Sequence, residues 1–209
     1  GVLAAGAQAV VTASASIAGL DAGSYTATNT FASPTATNSP SAQIVTLTLR
    51  RGTDSITISS TNQVYNGSPR AVTATAGSGS PVTVTYNGVA AAPVAAGIYA
   101  VTAVVDTVNW SGTNVATLTV RKADQAIAGF LPPSGTYGNT NLLALSANGG
   151  GSGNPVTFAV ANGPGVLINA THLRFTGLGA VAVTASQAGN ADWNAALPVT
   201  NTYTVVAVS

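Results

Sequence analysis

Most of the chain consists of short runs in which hydrophobic and polar residues alternate, separated by Gly, Pro and Asn-Gly pairs. This period of two predicts β-strands, because successive side chains of a strand point to opposite faces of a sheet. In the clearest run, AGIYAVTAVV, the alternate hydrophobic residues are Tyr99, Val101, Ala103 and Val105. We expect these four residues to face a hydrophobic core.

Nearly the same run occurs twice more, as AGSYTATN and LGAVAVTA. With Gly23, Gly97 and Gly179 in register, the inward residues of the third run are Val181, Val183 and Ala185. A second recurring run closes each copy, because QIVTLTLRR matches NVATLTVRK and TNTYTVVAV takes the same place near the end. The inward residues expected in these closing strands are Val45, Leu47, Leu49, Ala116, Leu118, Val120, Tyr203 and Val205. The repetition indicates tandem β-modules.

In the second and third copies, a further run precedes the first of these strands. These runs are SPVTVTYNG and NPVTFAVANG. Each begins near a Pro and contains an Asn-Gly pair, at Asn87-Gly88 and Asn162-Gly163, which favours a tight hairpin turn. With VYNGSPRAVTATA and TYGNTNLLALSA before them, these two copies have about six or seven short strands each, as a small β-sandwich needs. The first copy has no counterpart of AVTATA, so we expect its module to be incomplete.

Module boundaries are expected near Gly52 and Ala123, where the closing strands end. They divide the chain into a partial first module (residues 1–51), a second module (52–122) and a third module (123–209). Charged residues gather at both joints, namely Arg50, Arg51 and Asp54 at one and Arg121, Lys122 and Asp124 at the other. We expect ion pairs there. Joints without a long Gly/Ser-rich or Pro-rich spacer favour a semi-rigid string of modules.

These residues resemble a known family. The YxG opening, the VTYNG hairpin, the AGxYxV strand and the closing TLTV of residues 64–123 resemble the MBG family of bacterial immunoglobulin-like repeats. The runs TYGNTNLLALSA, NPVTFAV and VAVTASQAGNADW are similar to its companion repeat, so the resemblance covers about residues 53–209 and part of residues 1–51. It implies immunoglobulin-like sandwiches in a secreted or surface-anchored bacterial protein, without catalytic residues.

The low content of charged residues and the absence of Cys exclude several kinds of partner and site. Only 5% of the residues are charged and the net charge is +1, whereas nucleic-acid binding needs a concentrated basic face. The chain has no Cys, which excludes disulfides and thiolate metal sites. No apolar run approaches the roughly 18 residues of a membrane span, and the opening GVLAAGAQAVV lacks the basic region of an intact signal peptide. We therefore expect no nucleic-acid partner and no membrane insertion.

Candidate catalytic groups are few. His172 is the one histidine, and it is expected to face solvent with Arg174 while Leu173 and Phe175 point inward. The carboxylates are dispersed along the chain: Asp21, Asp54, Asp106, Asp124 and Asp192. A calcium site using Asp54 or Asp124 is disfavoured, because calcium needs several oxygens in one place. The runs GSGSP and NGGGSGNP are expected to be sandwich loops, since they lack the Lys of a phosphate loop. No catalytic residue, metal or cofactor is predicted.

Trp110 and Trp193 are candidate ligand platforms, but they occur at nearly the same relative position in two copies. That recurrence favours packing at the end of a core over sugar binding. Three sequons, at Asn66, Asn109 and Asn169, are candidate glycan sites on a secreted chain. Lys122 is the one lysine, and its place at a module boundary argues against an intramolecular Lys–Asn isopeptide bond.

The leading hypothesis is a non-catalytic array of modules in an extracellular or surface-exposed bacterial protein, acting as a stalk, spacer or adhesin segment. A second hypothesis is a filament subunit. In that case the incomplete first module, which begins with the apolar run AQAVVTASAS, would be completed by a strand from an identical subunit. A third hypothesis is a carbohydrate-binding module that uses Trp110 and Trp193 to contact surface polysaccharide. An enzyme is not expected, because no pair of acid and base groups can be proposed.

Overall fold

In the described residues, the regular secondary structure of the second and third modules consists of β-strands. The computed structural model describes residues 10–33, 39–131, 136–138 and 142–207, and its regular elements in these residues are all strands. The first nine residues of the apolar opening and residues 139–141 of the run TYGNTNLLALSA lie outside the described residues. The all-β prediction is confirmed.

The second module is a sandwich of a larger and a smaller sheet. Its strands are β3 (Gly52–Thr53), β4 (Ile56–Ser59), β5 (Asn62–Val64), β6 (Thr73–Ala76), β7 (Thr83–Tyr86), β8 (Gly97–Asp106) and β9 (Trp110–Arg121). The larger sheet has the order β3-β9-β8-β7, with β5 also paired to β9, and the smaller sheet is the pair β4-β6. The two sheets enclose a core that includes Ile56, Ala103 and Val105.

The third module repeats this arrangement with a different division of strands. Its strands are β10 (Thr136–Gly138), β11 (Leu142–Ala144), β12 (Val156–Asn162), β13 (Gly165–Asn169), β14 (His172–Phe175), β15 (Gly179–Gln187) and β16 (Val199–Val206). One sheet has the order β10-β16-β15-β12 and the other β11-β14-β13. Leu173 from the second sheet and Val181 and Val183 from the first are completely buried between them.

The first module is a single hairpin in the described residues. Its strands β1 (Gly23–Phe31) and β2 (Ser41–Leu49) pair antiparallel along their whole length, and no second sheet lies against them. No described residue between 10 and 51 is buried, and residues 10–20 carry no strand. The described residues of this region therefore form a hairpin and no sandwich, and the partial first module of residues 1–51 stays a prediction.

The faces predicted from the alternation are correct in the two complete modules. Val101, Ala103 and Val105 are buried on β8, Tyr99 is half-buried beside them, and all three predicted residues of β15 are completely buried. On β2 the same pattern does not produce a buried residue, because Val45 is 45% exposed and Leu47 and Leu49 are only half-buried.

The Asn-Gly pair after β7 forms the predicted tight turn. Asn87 and Gly88 both have positive φ, at 49° and 83°, as a type I′ turn requires. The amide of Tyr86 donates to the Val89 carbonyl at 2.7 Å, and the amide of Val89 donates back at 2.9 Å. The Asn87 side chain also accepts a hydrogen bond from the amide of Ala100, which ties the turn to β8.

Candidate functional site at the two joints between modules

Most of the residues that the sequence singled out lie at the two joints between modules. They do not form a cluster of reactive side chains. Among the described residues, no group of three or more His, Cys, Asp or Glu side chains is placed to hold a metal ion. The first joint lies between β2 and β9, and the second lies between β9 and the loop that precedes β16. Each joint contains one of the two tryptophans.

At the first joint, the chain leaves β2 and continues into β3, which pairs in parallel with the start of β9. The amide of Gly52 donates to the carbonyl of Asn109 at 2.8 Å, and the indole of Trp110 lies against Gly52. A Cβ at Gly52 would lie 2.6 Å from the indole, so this close contact requires glycine.

Asn109 also holds the first module through its side chain. Its Oδ1 accepts the amide of Ala22 at 2.6 Å, and its Nδ2 donates to Oδ1 of Asp21 at 2.7 Å. One carboxamide therefore makes two hydrogen bonds across the joint, to the turn that leads into β1.

The second joint repeats the parallel pairing. Ala123 forms a parallel bridge with Trp193, donating to the Asp192 carbonyl at 2.9 Å and accepting the amide of Asn194 at 2.8 Å. The Trp193 ring contacts Tyr65 of the second module edge to face, with centroids 5.8 Å apart. It also lies against Gly151, where an added Cβ would overlap the ring.

The hydrogen bond from an amide of the preceding module to a side-chain oxygen also occurs at both joints. Oδ1 of Asp192 accepts the amide of Ala96 at 2.7 Å, as Oδ1 of Asn109 accepts that of Ala22. In both cases the acceptor precedes a Trp, and the donor precedes the Gly that begins the long strand of the preceding module. The two joints thus share one set of contacts, although the sequence analysis assigned no role to Asn109 or Asp192 in them.

At each joint, a tyrosine hydroxyl stabilises the turn that precedes the donor amide. The Tyr25 hydroxyl donates to the carbonyl of Asp21 at 2.8 Å, and the Tyr99 hydroxyl donates to that of Ala95 at 2.9 Å. Each bond reaches back four residues, so it holds the turn whose next amide crosses the joint.

The expected ion pairs of Asp54 and Asp124 with neighbouring cations do not form. Arg51 instead pairs with Asp106 and donates to the carbonyl of Trp110 at 2.9 Å. Lys122 Nζ donates to the carbonyl of Asn190 at 2.6 Å, and Asp124 accepts Nδ2 of Asn194 at 2.7 Å. The predicted pairs are wrong, because each of these carboxylates accepts from an uncharged group and the cations that have a partner bind elsewhere.

Asp54 is turned toward the loop GSGSP. It is 9% exposed and accepts hydrogen bonds from the hydroxyl of Ser78 and from its amide at 3.1 Å. The pKa of Asp54 is lowered, chiefly by the Ser78 hydroxyl, against an opposing effect of burial and with help from the amides of Ser78, Ser55 and Gly77. Asp54 therefore ties a sandwich loop to the start of its module.

Neutral side chains hold the corresponding Gly-rich loop of the third module. Gln125 Oε1 accepts the amide of Ser152 at 2.8 Å, and Gln187 Oε1 accepts that of Gly150 at 2.7 Å. Gln187 is itself 3% exposed and donates to the carbonyl of Asn154 at 2.8 Å. Neither glutamine was predicted as a site residue, because nothing in the local sequence marks it for this role.

The remaining candidates lie away from the joints. Leu173 and Phe175 are buried and Arg174 is exposed, as predicted, while His172 is half-buried with Nδ1 3.0 Å from Oδ1 of Asn169. Asn66 and Asn169 are exposed, and each accepts a hydrogen bond from the amide two residues later. Glycosylation at these sequons and at Asn109 stays a prediction.

One comparison with known protein families matches the second module. A family model described as the MBG domain matches residues 54–124. A search of curated proteins found no match. No helix in the described residues is long and apolar enough to span a bilayer.

Two solved structures are similar to the chain at low identity. Fibronectin(III)-like modules of Clostridium thermocellum CbhA are 18% identical, with 72% of this chain and 94% of that chain covered and a TM-score of 0.32. Immunoglobulin domains 1–5 of Sidekick-1 are 14% identical, with a TM-score of 0.33. That match covers 90% of this chain but 46% of the Sidekick-1 chain.

Proposed function

We propose, on the premise that residues 54–124 belong to the MBG domain family and lie among immunoglobulin-like modules, that this chain is a structural array. Its role would be that of a non-catalytic stalk, spacer or adhesin segment in a secreted or surface-exposed bacterial protein. The observation that carries the proposal is the repeated joint, in which a strand passes from one module into the next and a side-chain acceptor holds the preceding turn. A repeated joint of this kind would hold successive modules in one orientation, as a stiff spacer requires.

A distance measurement tests the stiffness of the second joint. The chain has no Cys, so spin labels can be attached at Thr83→Cys in the second module and Thr202→Cys in the third, both at exposed strand positions. We expect a narrow distribution of label distances. Asp192→Ala should broaden it, because the bond to Ala96 is lost, whereas Asp106→Ala should not, because that residue belongs to the first joint. A broad distribution in the unaltered joint would contradict the proposal.

A filament subunit is the second candidate function. It is supported by the uncovered face of the β1–β2 hairpin, on which Val45 and Phe31 are 45% and 46% exposed. In the second module the corresponding face is covered by β4 and β6. A strand from another copy could supply the missing cover.

Light scattering over a range of protein concentrations tests this candidate. Strand complementation predicts a mass that grows with concentration, and Val45→Lys should abolish the growth by placing a charge on the uncovered face. Ile44→Lys is the matched control, because Ile44 is the next residue on β2 and points to the opposite face. A constant monomer mass, or equal effects of the two variants, would exclude assembly through this face.

A further inference from the structure

The first joint contains a groove of about 420 Å³. The residues that line it include Ile17, Leu20, Leu49, Arg50 and Trp110. Binding sites for small ligands commonly occupy about 300–1,000 Å³ and often lie between domains. The groove therefore has the size and position of a binding site.

Arg50 gives this groove a positive charge that none of the described residues neutralises. Arg50 is exposed, and its guanidinium makes no ion pair or hydrogen bond with any residue that the structure describes. The acids near the joint already have donors. Asp21 accepts from Asn109, Asp106 pairs with Arg51, and Asp54 accepts from Ser78. Among the residues that the structure describes, no carboxylate lines the groove. A guanidinium in this situation suits a ligand carboxylate, which it can bind through two parallel hydrogen bonds.

Trp110 supplies an apolar surface beside this charge. It is 39% exposed and lines the groove, and its ring also lies against Gly52. An indole face packs well against the C–H groups of a pyranose ring, because both surfaces are flat and weakly polar. Trp193 has no such role, since it packs against Tyr65 and Gly151 in the second joint.

The second joint does not combine an arginine with a tryptophan in a groove without a carboxylate. Its groove, of about 620 Å³, includes Arg121 and Lys122, but it also includes the carboxylate of Asp124 and no tryptophan. Arg121 ends β9 just beyond the run that matches β2, so it is the counterpart of Arg50. The second groove is therefore an internal control for the first.

We propose that the groove at the first joint binds a uronic acid unit of an acidic polysaccharide. The pyranose ring stacks on Trp110, and the sugar carboxylate pairs with Arg50. This binding site goes beyond the structural role proposed above and does not depend on it, because a stalk needs no ligand.

Calorimetry on the full chain tests the site with oligogalacturonate, and with a neutral galactose oligomer of the same length for comparison. We expect the acidic oligomer to bind and the neutral one to bind at least about tenfold more weakly. Arg50→Gln should weaken binding of the acidic oligomer by about tenfold or more, and Arg121→Gln should leave it unchanged. Fluorescence of the Trp193→Phe variant, in which Trp110 is the remaining tryptophan, should change on binding.

Several results would overturn the proposal. They are the absence of binding, equal binding of neutral and acidic oligomers, and an equal loss with Arg50→Gln and Arg121→Gln. Equal binding of dextran sulfate would show attraction to any polyanion, which also contradicts a site built for a sugar carboxylate. Because Arg50 is exposed, its substitution should not unfold the joint, and an unchanged circular dichroism spectrum checks this.

Discussion

The hairpin β1–β2 and the pair β8–β9 have nearly the same sequence pattern and the same register, yet only one of them belongs to a core. Tyr25 lies opposite Leu47 in the first pair, as Tyr99 lies opposite Leu118 in the second. Leu118 is completely buried, whereas Leu47 is only half-buried. The difference is the opposing sheet, because β4 and β6 cover β8 and β9 and no described strand covers the hairpin.

The comparison shows that strand pairing and burial have separate causes here. Pairing needs only two neighbouring strands and a turn, but an isolated two-stranded hairpin is marginally stable in water. The described hairpin therefore depends on contacts beyond its own two strands. In the described residues the first joint supplies such contacts, through Asn109 and the chain that continues into β3.

The largest expected difference comes from truncating the two equivalent leucines. Leu118→Ala should lower the free energy of unfolding of the second module by about 3 kcal/mol, because it leaves a cavity in a closed core. Leu47→Ala should cost less than about 1 kcal/mol, because water already reaches that side chain. Urea unfolding of the two variants measures both values, and similar losses would show that the hairpin has a core after all.

A smaller effect should follow from cutting the first joint. Asn109→Ala removes two hydrogen bonds to the first module and should cost about 1–2 kcal/mol of local stability. Hydrogen exchange should then accelerate along β1 and β2. Asp192→Ala is the control, because it cuts the second joint between two modules that keep their own cores, and exchange inside β8 and β15 should stay slow. Unchanged protection of the hairpin in Asn109→Ala would refute its dependence on the joint.

Tyr25 and Tyr99 should show the same difference between the first and the second module, with a smaller effect on stability. Tyr99→Phe deletes the hydroxyl that donates to the Ala95 carbonyl and should cost about 1 kcal/mol in the thermal unfolding of the second module. Tyr25→Phe deletes the equivalent bond, but its effect should be confined to exchange in the hairpin. A loss of global stability in Tyr25→Phe would mean that the first module unfolds together with the second.

Acid should distinguish the second module from the third. The pKa of Asp54 is lower in the folded protein than in the unfolded chain, so its stabilising contribution is complete above the unfolded pKa of about 3.9 and is lost as the pH falls through the folded value. The third module holds its Gly-rich loop with Gln125 and Gln187, which do not titrate.

Thermal unfolding from neutral pH to about pH 2 measures this difference. The unaltered protein should be more stable than Asp54→Asn at neutral pH, and the two should converge in acid. Gln125→Ala should cost the same at every pH and serves as the control. A constant gap between the unaltered protein and Asp54→Asn would show that the carboxylate does not act through its charge.

Local patterns predicted much of the fold. Alternation identified the inward residues of β8 and β15, and Asn87-Gly88 identified a turn, because both features depend on neighbouring residues. The joint contacts could not be predicted in this way. Asn109 and Asp192 bind amides that are 87 and 96 residues away, and their sequence signal is no more than a short polar residue before a Trp.

By itself the sequence determined that the chain forms β-strands, that they recur as modules, and which side of each strand is hydrophobic. Alternation, glycine and turn residues act through the local backbone, so their consequences can be derived without knowing the neighbours of a strand. Only the tertiary structure decided which hydrophobic faces are covered, which acids accept from amides rather than pair with cations, and which tryptophan lines a groove. These outcomes depend on contacts between residues far apart in the chain, where the packing of the modules selects the partners.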